Sequence, residues 1–116
     1  MEHIAVGVLE QIIVRQNTKG YVYLKEAVKI AVKDQSKLEH LSREIYGPIA
    51  RKHNITANGV QQAICGTIGH TWENAELDVL QRYFGDRVLN PLWKPANREF
   101  LCILLEKVHA IAADFS

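Results

Sequence analysis

Residues 46–72, YGPIARKHNITANGVQQAICGTIGHTW, constrain the fold most strongly, because their pattern predicts two helices joined by a tight turn. The first helix ends in a basic run, residues 51–53. Asn54 follows where the turn needs a left-handed residue, a conformation that asparagine tolerates better than most side chains. Thr56 is then positioned to cap the second helix by accepting a hydrogen bond from one of its free N–H groups.

The second helix of this stretch has the spacing of a half-buried helix, since small or apolar side chains recur with a period of 3.6 residues. They are Val60, Ala63, Ile64, Thr67, Ile68 and Thr71. Two helices joined in this way are typical of the helix-turn-helix, which inserts its second helix into the DNA major groove. We therefore predict a helix-turn-helix over about residues 46–72 and double-stranded DNA as the partner.

Helical periodicity continues on both sides of this motif, and no alternating strand pattern competes with it. Helices are predicted at about residues 4–15, 20–33, 36–45, 57–72 and 75–83, with a last helix from about Asn97. Ser36 is predicted to cap the third helix, which Gly47-Pro48 should kink or interrupt. Gly85 should end the fifth helix in a left-handed conformation. The whole pattern predicts an all-α, six-helix orthogonal bundle.

Composition predicts one globular domain, residues 1–116, because 47% of the residues are hydrophobic and 23% are charged. There is no signal-peptide pattern and no apolar run long enough to cross a membrane, so we expect a cytoplasmic protein without membrane contact. The two cysteines, Cys65 and Cys102, do not make a disulfide framework. No metal-ligand spacing, catalytic triad or glycine-rich phosphate loop is present, so we expect no metal, no cofactor and no enzymatic activity.

Several longer motifs are more specific than the helix-turn-helix pattern. They are KGYVYLKEAV at 19–28, IYGPIARKHN at 45–54, the TA…V…AI…W frame at 56–72, YFG at 83–85 and KPANREF at 94–100. In this order, over roughly residues 4–110, the chain resembles the C-terminal effector domain of the stage 0 sporulation protein A family. The resemblance implies sequence-specific DNA binding as the output domain of a sporulation-type transcriptional regulator.

The resemblance also implies partners. In the family, an N-terminal receiver is phosphorylated on an aspartate, and dimerisation then places two effector domains in tandem on DNA. The 116 residues are too few to include a receiver domain as well and lack its alternating strand–helix pattern, so we expect either the effector part of a longer regulator or a stand-alone homologue with no phosphorylation switch of its own. A homodimer on DNA and a contact between residues 73–86 and the RNA polymerase sigma factor are further expectations from the resemblance.

The helix face opposite Val60 and Ile64 is predicted to face the DNA bases. Its residues are Asn58, Gly59, Gln61, Gln62, Cys65 and Gly66. In the family, the positions that match the last five are typically rich in arginine, with an acidic residue among them, whereas none is charged here. Arginine is the usual partner of guanine, and glutamine pairs with adenine. We therefore predict poor binding to the guanine-containing box of the family and a preference for adenine opposite Gln62 and, secondarily, Gln61.

Contacts to DNA phosphates are predicted at the end of the first helix of the motif and at the start of the second. The resemblance implies further phosphate contacts at the start of the last helix, where the family also approaches the DNA backbone. The residues are Arg51, Lys52, His53, Thr56, Lys94 and Arg98. The net charge of +1 is small for a DNA-binding protein, so affinity should depend on how these cations are distributed.

The uncharged reading face also allows an alternative. The chain would then be a degenerate stand-alone homologue that acts as a protein-interaction module with little or no specific DNA binding. Gly66 and Gly69 fit either hypothesis, because glycine in a helix interior costs about 1 kcal/mol relative to alanine. They indicate close approach of DNA or a partner in one case, and a face no longer selected for DNA contact in the other.

Overall fold

The computed structural model describes residues 1–114, and these residues form helices and irregular segments without any strand. The α-helices are α1 (Glu2–Ile12), α2 (Lys19–Lys33), α3 (Gly47–His53), α4 (Ala57–Asn74), α5 (Leu77–Phe84) and α6 (Asn97–Asp114). Two 3₁₀ segments, Gln35–His40 and Gly85–Leu89, and one π-helical segment, Leu41–Tyr46, connect them. The predicted all-α fold with six helices is confirmed for the described residues.

The predicted α-helix over residues 36–45 is wrong. The chain there forms the 3₁₀ segment and then the π-helical segment, with His40 outside the helical region at φ −133° and ψ 59°. The predicted cap is also wrong, because Asp34 provides it: its carboxylate accepts from the backbone N–H of Ser36 at 3.2 Å. Side chains such as those of Asp34 and Ser36 offer the backbone local alternatives to a regular helix.

The turn before α4 has the predicted geometry. Asn54 is left-handed at φ 56° and ψ 47°, and among residues 1–114 it is the one non-glycine residue with positive φ. The Thr56 hydroxyl accepts from the Gly59 N–H at 2.9 Å and caps α4. At Gly47, the π-helical segment passes into α3, and Pro48 lies in the first turn of that helix, where a missing N–H breaks no helical bond.

Side chains from every α-helix form the hydrophobic core, and α4 contributes the predicted stripe. Val60, Ile64 and Ile68 are at most 1% exposed, as is Leu104 of α6. The burial predicted for Val60, Ile64 and Ile68 is confirmed. Burying one such side chain is worth about 1.5–3 kcal/mol, so the stripe fixes which face of α4 points outward.

Gly20, at the start of α2, allows that helix to pack directly on α4. A Cβ atom built on Gly20 would overlap the carbonyl oxygen of Ala63 and the hydroxyl of Thr67. Gly20 is therefore needed for close approach of the two backbones. This contact fixes α4 from the side opposite its exposed face.

No helix within residues 1–114 is long and apolar enough to cross a bilayer.

Candidate nucleic-acid interface

The outward face of α4 carries the predicted base-facing residues. Asn58, Gln61, Gln62, Cys65 and Gly66 are exposed, and Gly59 is half-buried beside the Thr56 cap. The face has this composition because the apolar stripe of α4 points into the core. The structure thus brings these six residues onto one accessible strip of a helix whose rotation is fixed by packing.

This strip carries no charged side chain, and few side chains surround its glycines. A Cβ atom on Gly66 would meet no atom within 4 Å, whereas one on Gly69 would lie 3.4 Å from the Lys94 ammonium nitrogen. The backbone of α4 at Gly66 is therefore open to a partner. An anionic ligand can therefore form ion pairs only with residues at the borders of the strip.

A groove of about 720 Å³ follows one border of the strip. One wall is formed by residues 40–43, the other by residues 94–98 at the start of α6, and Tyr46, Gln61 and Cys65 line it between them. Two of the predicted phosphate contacts, Lys94 and Arg98, lie in this groove beside two of the predicted base-facing residues. The structure therefore brings these four predicted residues together.

Asn97 connects the elements around this groove. Its side-chain amide nitrogen lies 3.1 Å from the Tyr46 hydroxyl and donates to the Gln61 carbonyl oxygen at 3.2 Å. Burial raises the pKa of Tyr46, so its hydroxyl stays neutral at physiological pH. The Arg98 guanidinium donates to the backbone carbonyl of Glu39 at 3.3 Å and so ties α6 to the opposite wall.

Sequence reasoning used Asn97 only as a helix start and missed its role in the groove. The signal was its position inside the KPANREF motif, where a polar side chain at the first helical position faces the neighbouring elements.

The cations at the end of α3 have a different environment. Glu26 of α2 accepts a hydrogen bond from the Lys52 ammonium at 2.5 Å, and its second oxygen lies 2.8 Å from Nε2 of His53. Partial burial alone would raise the pKa of Glu26, but the hydrogen bonds and charges of Lys52 and His53 outweigh it and lower that pKa. These two predicted phosphate contacts are therefore already paired.

Lys52 also lines a separate cleft between α1, α2 and α3. This cleft contains two acidic residues, Glu2 and Glu26, beside Lys29 and Lys33. The structure does not bring Lys52 into the groove along α4. Arg51 is exposed and forms no ion pair with another residue in the range 1–114.

The start of α4 retains capacity for an anion. The Thr56 hydroxyl occupies the N–H of Gly59, but the N–H groups of the first turn before it have no acceptor within the helix. Thr56 and Asn58 are exposed, so a phosphate oxygen can reach this turn. Oriented N–H groups and the helix dipole favour such an anion.

Two other predicted features can be located. The segment expected to contact the sigma factor exposes Glu76, Asp78 and Arg82, with Leu77 52% exposed. Cys65 and Cys102 are free thiols. Residues 1–114 contain no group of three or more histidine, cysteine or acidic side chains that could hold a metal ion.

The chain also matches a known protein-family model. The model described as sporulation initiation factor Spo0A C terminal matches residues 5–108 of the 116-residue chain. The match includes most of α1, all of α2 to α5 with the strip on α4, and most of α6, and therefore every residue of the candidate interface.

Proposed function

Because the chain belongs to the family of Spo0A C-terminal domains, a sporulation-initiation DNA-binding family, we propose that it binds double-stranded DNA sequence-specifically as the output domain of a sporulation-type transcriptional regulator. The observation that carries this proposal is the accessible strip of α4 with a cation-lined groove along its border. Bases read by a helix and phosphates bound beside it are the two components of helix-turn-helix recognition.

In this proposal α3 and α4 act as the helix-turn-helix, and α4 lies in the major groove. Gln62, and secondarily Gln61, pairs with adenine through the donor and acceptor of its amide. Asn58 and Cys65 complete the edge that faces the bases, and the open backbone at Gly66 allows close approach. Because the strip has no arginine to pair with guanine, we expect its target to contain fewer contacted guanines than the box that the family binds.

Phosphate contacts in this proposal have unequal weight. Lys94 and Arg98 lie in the groove beside α4, and Thr56 with the first turn of α4 binds a phosphate through N–H groups. Lys52 and His53 contribute less, because each must exchange Glu26 for a phosphate. Arg51 has no such partner among the described residues and adds a contact at the end of α3.

The same proposal includes the cellular setting that the family suggests. Two copies bind DNA as a homodimer, and residues 73–86 contact the RNA polymerase sigma factor through the exposed surface around Leu77 and Asp78. A regulator of this kind works in the cytoplasm and needs neither a cofactor nor catalytic residues.

A second function is favoured by one observation, the absence of charge on the α4 strip. A protein-interaction module would use this strip, with the open backbone at Gly66, to bind another protein instead of base edges. Specific DNA binding would then be weak or absent, while the fold would be unchanged.

Fluorescence anisotropy with duplex DNA over a range of salt concentrations separates these two functions. The DNA-binding proposal predicts that Lys94→Ala and Arg98→Ala each reduce the slope of log affinity against log salt by about 0.9, the contribution of one phosphate contact. Lys107→Ala is the matched control, because Lys107 is an exposed cation of α6 about 14 Å along the helix from Arg98. Absence of duplex binding at low salt, or weak binding that neither variant changes, would favour the interaction module.

A further inference from the structure

The groove beside α4 contains two basic side chains that neither the helix-turn-helix pattern nor the family motifs identified. His40 and Arg43 line the wall opposite Lys94 and Arg98. Both belong to the 3₁₀ and π-helical segments that replace the α-helix predicted over residues 36–45. An unexpected backbone path thus brings two further basic side chains beside α4.

The charge in this groove has one sign. Its described lining includes four basic residues and no aspartate or glutamate, whereas the cleft beside Lys52 mixes two acidic and three basic residues. The acidic group paired with Arg43 is Glu44, at 4.0 Å, and the side chain of Arg43 is 75% exposed. Such a surface pair is weak and exchanges readily for a stronger anion.

The position of the groove beside the α4 strip favours a phosphate backbone as its occupant. Its walls come from residues 40–43 and 94–98, and its lining includes Gln61 and Cys65 of the α4 strip. A duplex that presents its bases to Gln61 and Gln62 must carry a phosphate backbone past the border of that strip. Continuity with the strip identifies DNA, in preference to an acidic protein segment, as the occupant.

We propose that this groove binds the phosphate backbone of one DNA strand, with Arg43 and His40 as phosphate contacts opposite Lys94 and Arg98. The proposal rests on the DNA-binding function proposed above and extends its contact surface beyond the helix-turn-helix. Both walls are linked to α4 and to each other, through Asn97 to Tyr46 and Gln61 and through Arg98 to the Glu39 carbonyl. A strand held here therefore also sets the register of Gln61 against the bases.

The test replaces Arg43 by glutamine, which removes the charge and keeps a polar side chain. Arg43→Gln should weaken binding severalfold and to a similar extent for specific and random duplexes, and should reduce the salt slope by about 0.9. His40→Gln should weaken binding in the same sequence-independent way. Thermal unfolding of each variant verifies that the fold is retained.

Arg87→Gln is the matched control. Like Arg43, Arg87 is an exposed arginine in a short helical segment, and it lies outside the groove. Its ion pair with Glu99, at 3.9 Å, resembles that of Arg43 with Glu44. It should leave affinity and salt slope unchanged. An equal loss in Arg87→Gln and Arg43→Gln would mean that net charge alone matters, and would overturn the groove proposal.

The remaining outcomes separate this proposal from the function on which it rests. If Lys94→Gln weakens DNA binding and Arg43→Gln does not, the groove proposal is wrong while DNA binding stands, and an acidic protein segment becomes the occupant to consider. If the unaltered chain does not bind duplex DNA even at low salt, both proposals are wrong.

Discussion

Oε2 of Glu26 lies 2.8 Å from Nε2 of His53, so a carboxylate of α2 neutralises the basic end of α3. Its other oxygen accepts from Lys52 at 2.5 Å. This one acidic side chain connects α2 to α3 and holds two basic side chains that sequence reasoning assigned to DNA. The pair is only partly exposed, at 18% for the Glu26 side chain and 27% for that of His53, so it is less screened than a surface ion pair.

The Glu26 contact predicts an acid-sensitive part of the folding free energy. A lowered pKa in the folded state means that the carboxylate stabilises the fold above the ordinary value of 4.5, and that this contribution is lost as pH falls through the lower folded value. Glu26→Gln should therefore lower the free energy of unfolding at pH 7, and its difference from the unaltered chain should shrink well below pH 4.5. Urea unfolding at several pH values measures this difference.

Glu106→Gln is the control for this measurement, because Glu106 is an exposed carboxylate of α6 without an ion pair to another described residue. It should change the free energy of unfolding little at either pH. A Glu26→Gln deficit that is the same at pH 7 and pH 3 would show that the lost stability is not that of the ionised carboxylate.

Gly20→Ala should destabilise the fold by about 1–3 kcal/mol, the usual cost of forcing extra volume into a packed contact. The added methyl group would overlap Ala63 and Thr67 of α4, where backbone cannot move aside easily. Gly7→Ala in α1 is the matched control, since a Cβ atom there meets nothing within 4 Å and should stabilise by about 0.5–1 kcal/mol. Equal effects of the two substitutions on urea unfolding would contradict the close α2–α4 contact.

Gly66→Ala should separate stability from binding. A methyl group there meets no neighbour, so the helix should gain about 0.5–1 kcal/mol in the free energy of unfolding. If the α4 backbone approaches DNA closely at this point, the same substitution should weaken duplex binding. Gly7→Ala again controls for stability alone. A gain in stability with unchanged DNA affinity would show that Gly66 is not a point of contact.

The local features of α4 and of the turn before it could be predicted from the sequence because neighbouring residues determine them. Asn54 adopts a left-handed conformation and Thr56 caps α4 through contacts within three residues, and the period of the buried stripe fixed the rotation of α4. The segment over residues 35–46 could not be predicted in this way. Its local caps and the non-helical His40 interrupt a pattern that periodicity alone assigns to one α-helix.

The candidate site could be predicted only in part, for a related reason. Asn97 contacts Gln61 across 36 residues, and Glu26 contacts His53 across 27 residues. Contacts between residues so far apart in the sequence depend on how the helices pack. They cannot be predicted from the spacing of residues within one helix. Sequence therefore located the strip on α4 and the cations of α6, but it missed that Lys52 and His53 are paired and that Arg43 lines the groove.

Selection of the chain against a randomised duplex library tests the central claim, sequence reading by α4, most directly. We expect an enriched motif with adenine opposite Gln62. Gln62→Ala should relax that single position, with about 1–3 kcal/mol of discrimination lost and non-specific affinity nearly unchanged. Gln81→Ala, a half-buried glutamine of α5 outside the strip, should leave the motif unchanged. Enrichment of the guanine-containing box of the family at high affinity would contradict the predicted specificity, and no enrichment at all would contradict sequence reading by α4.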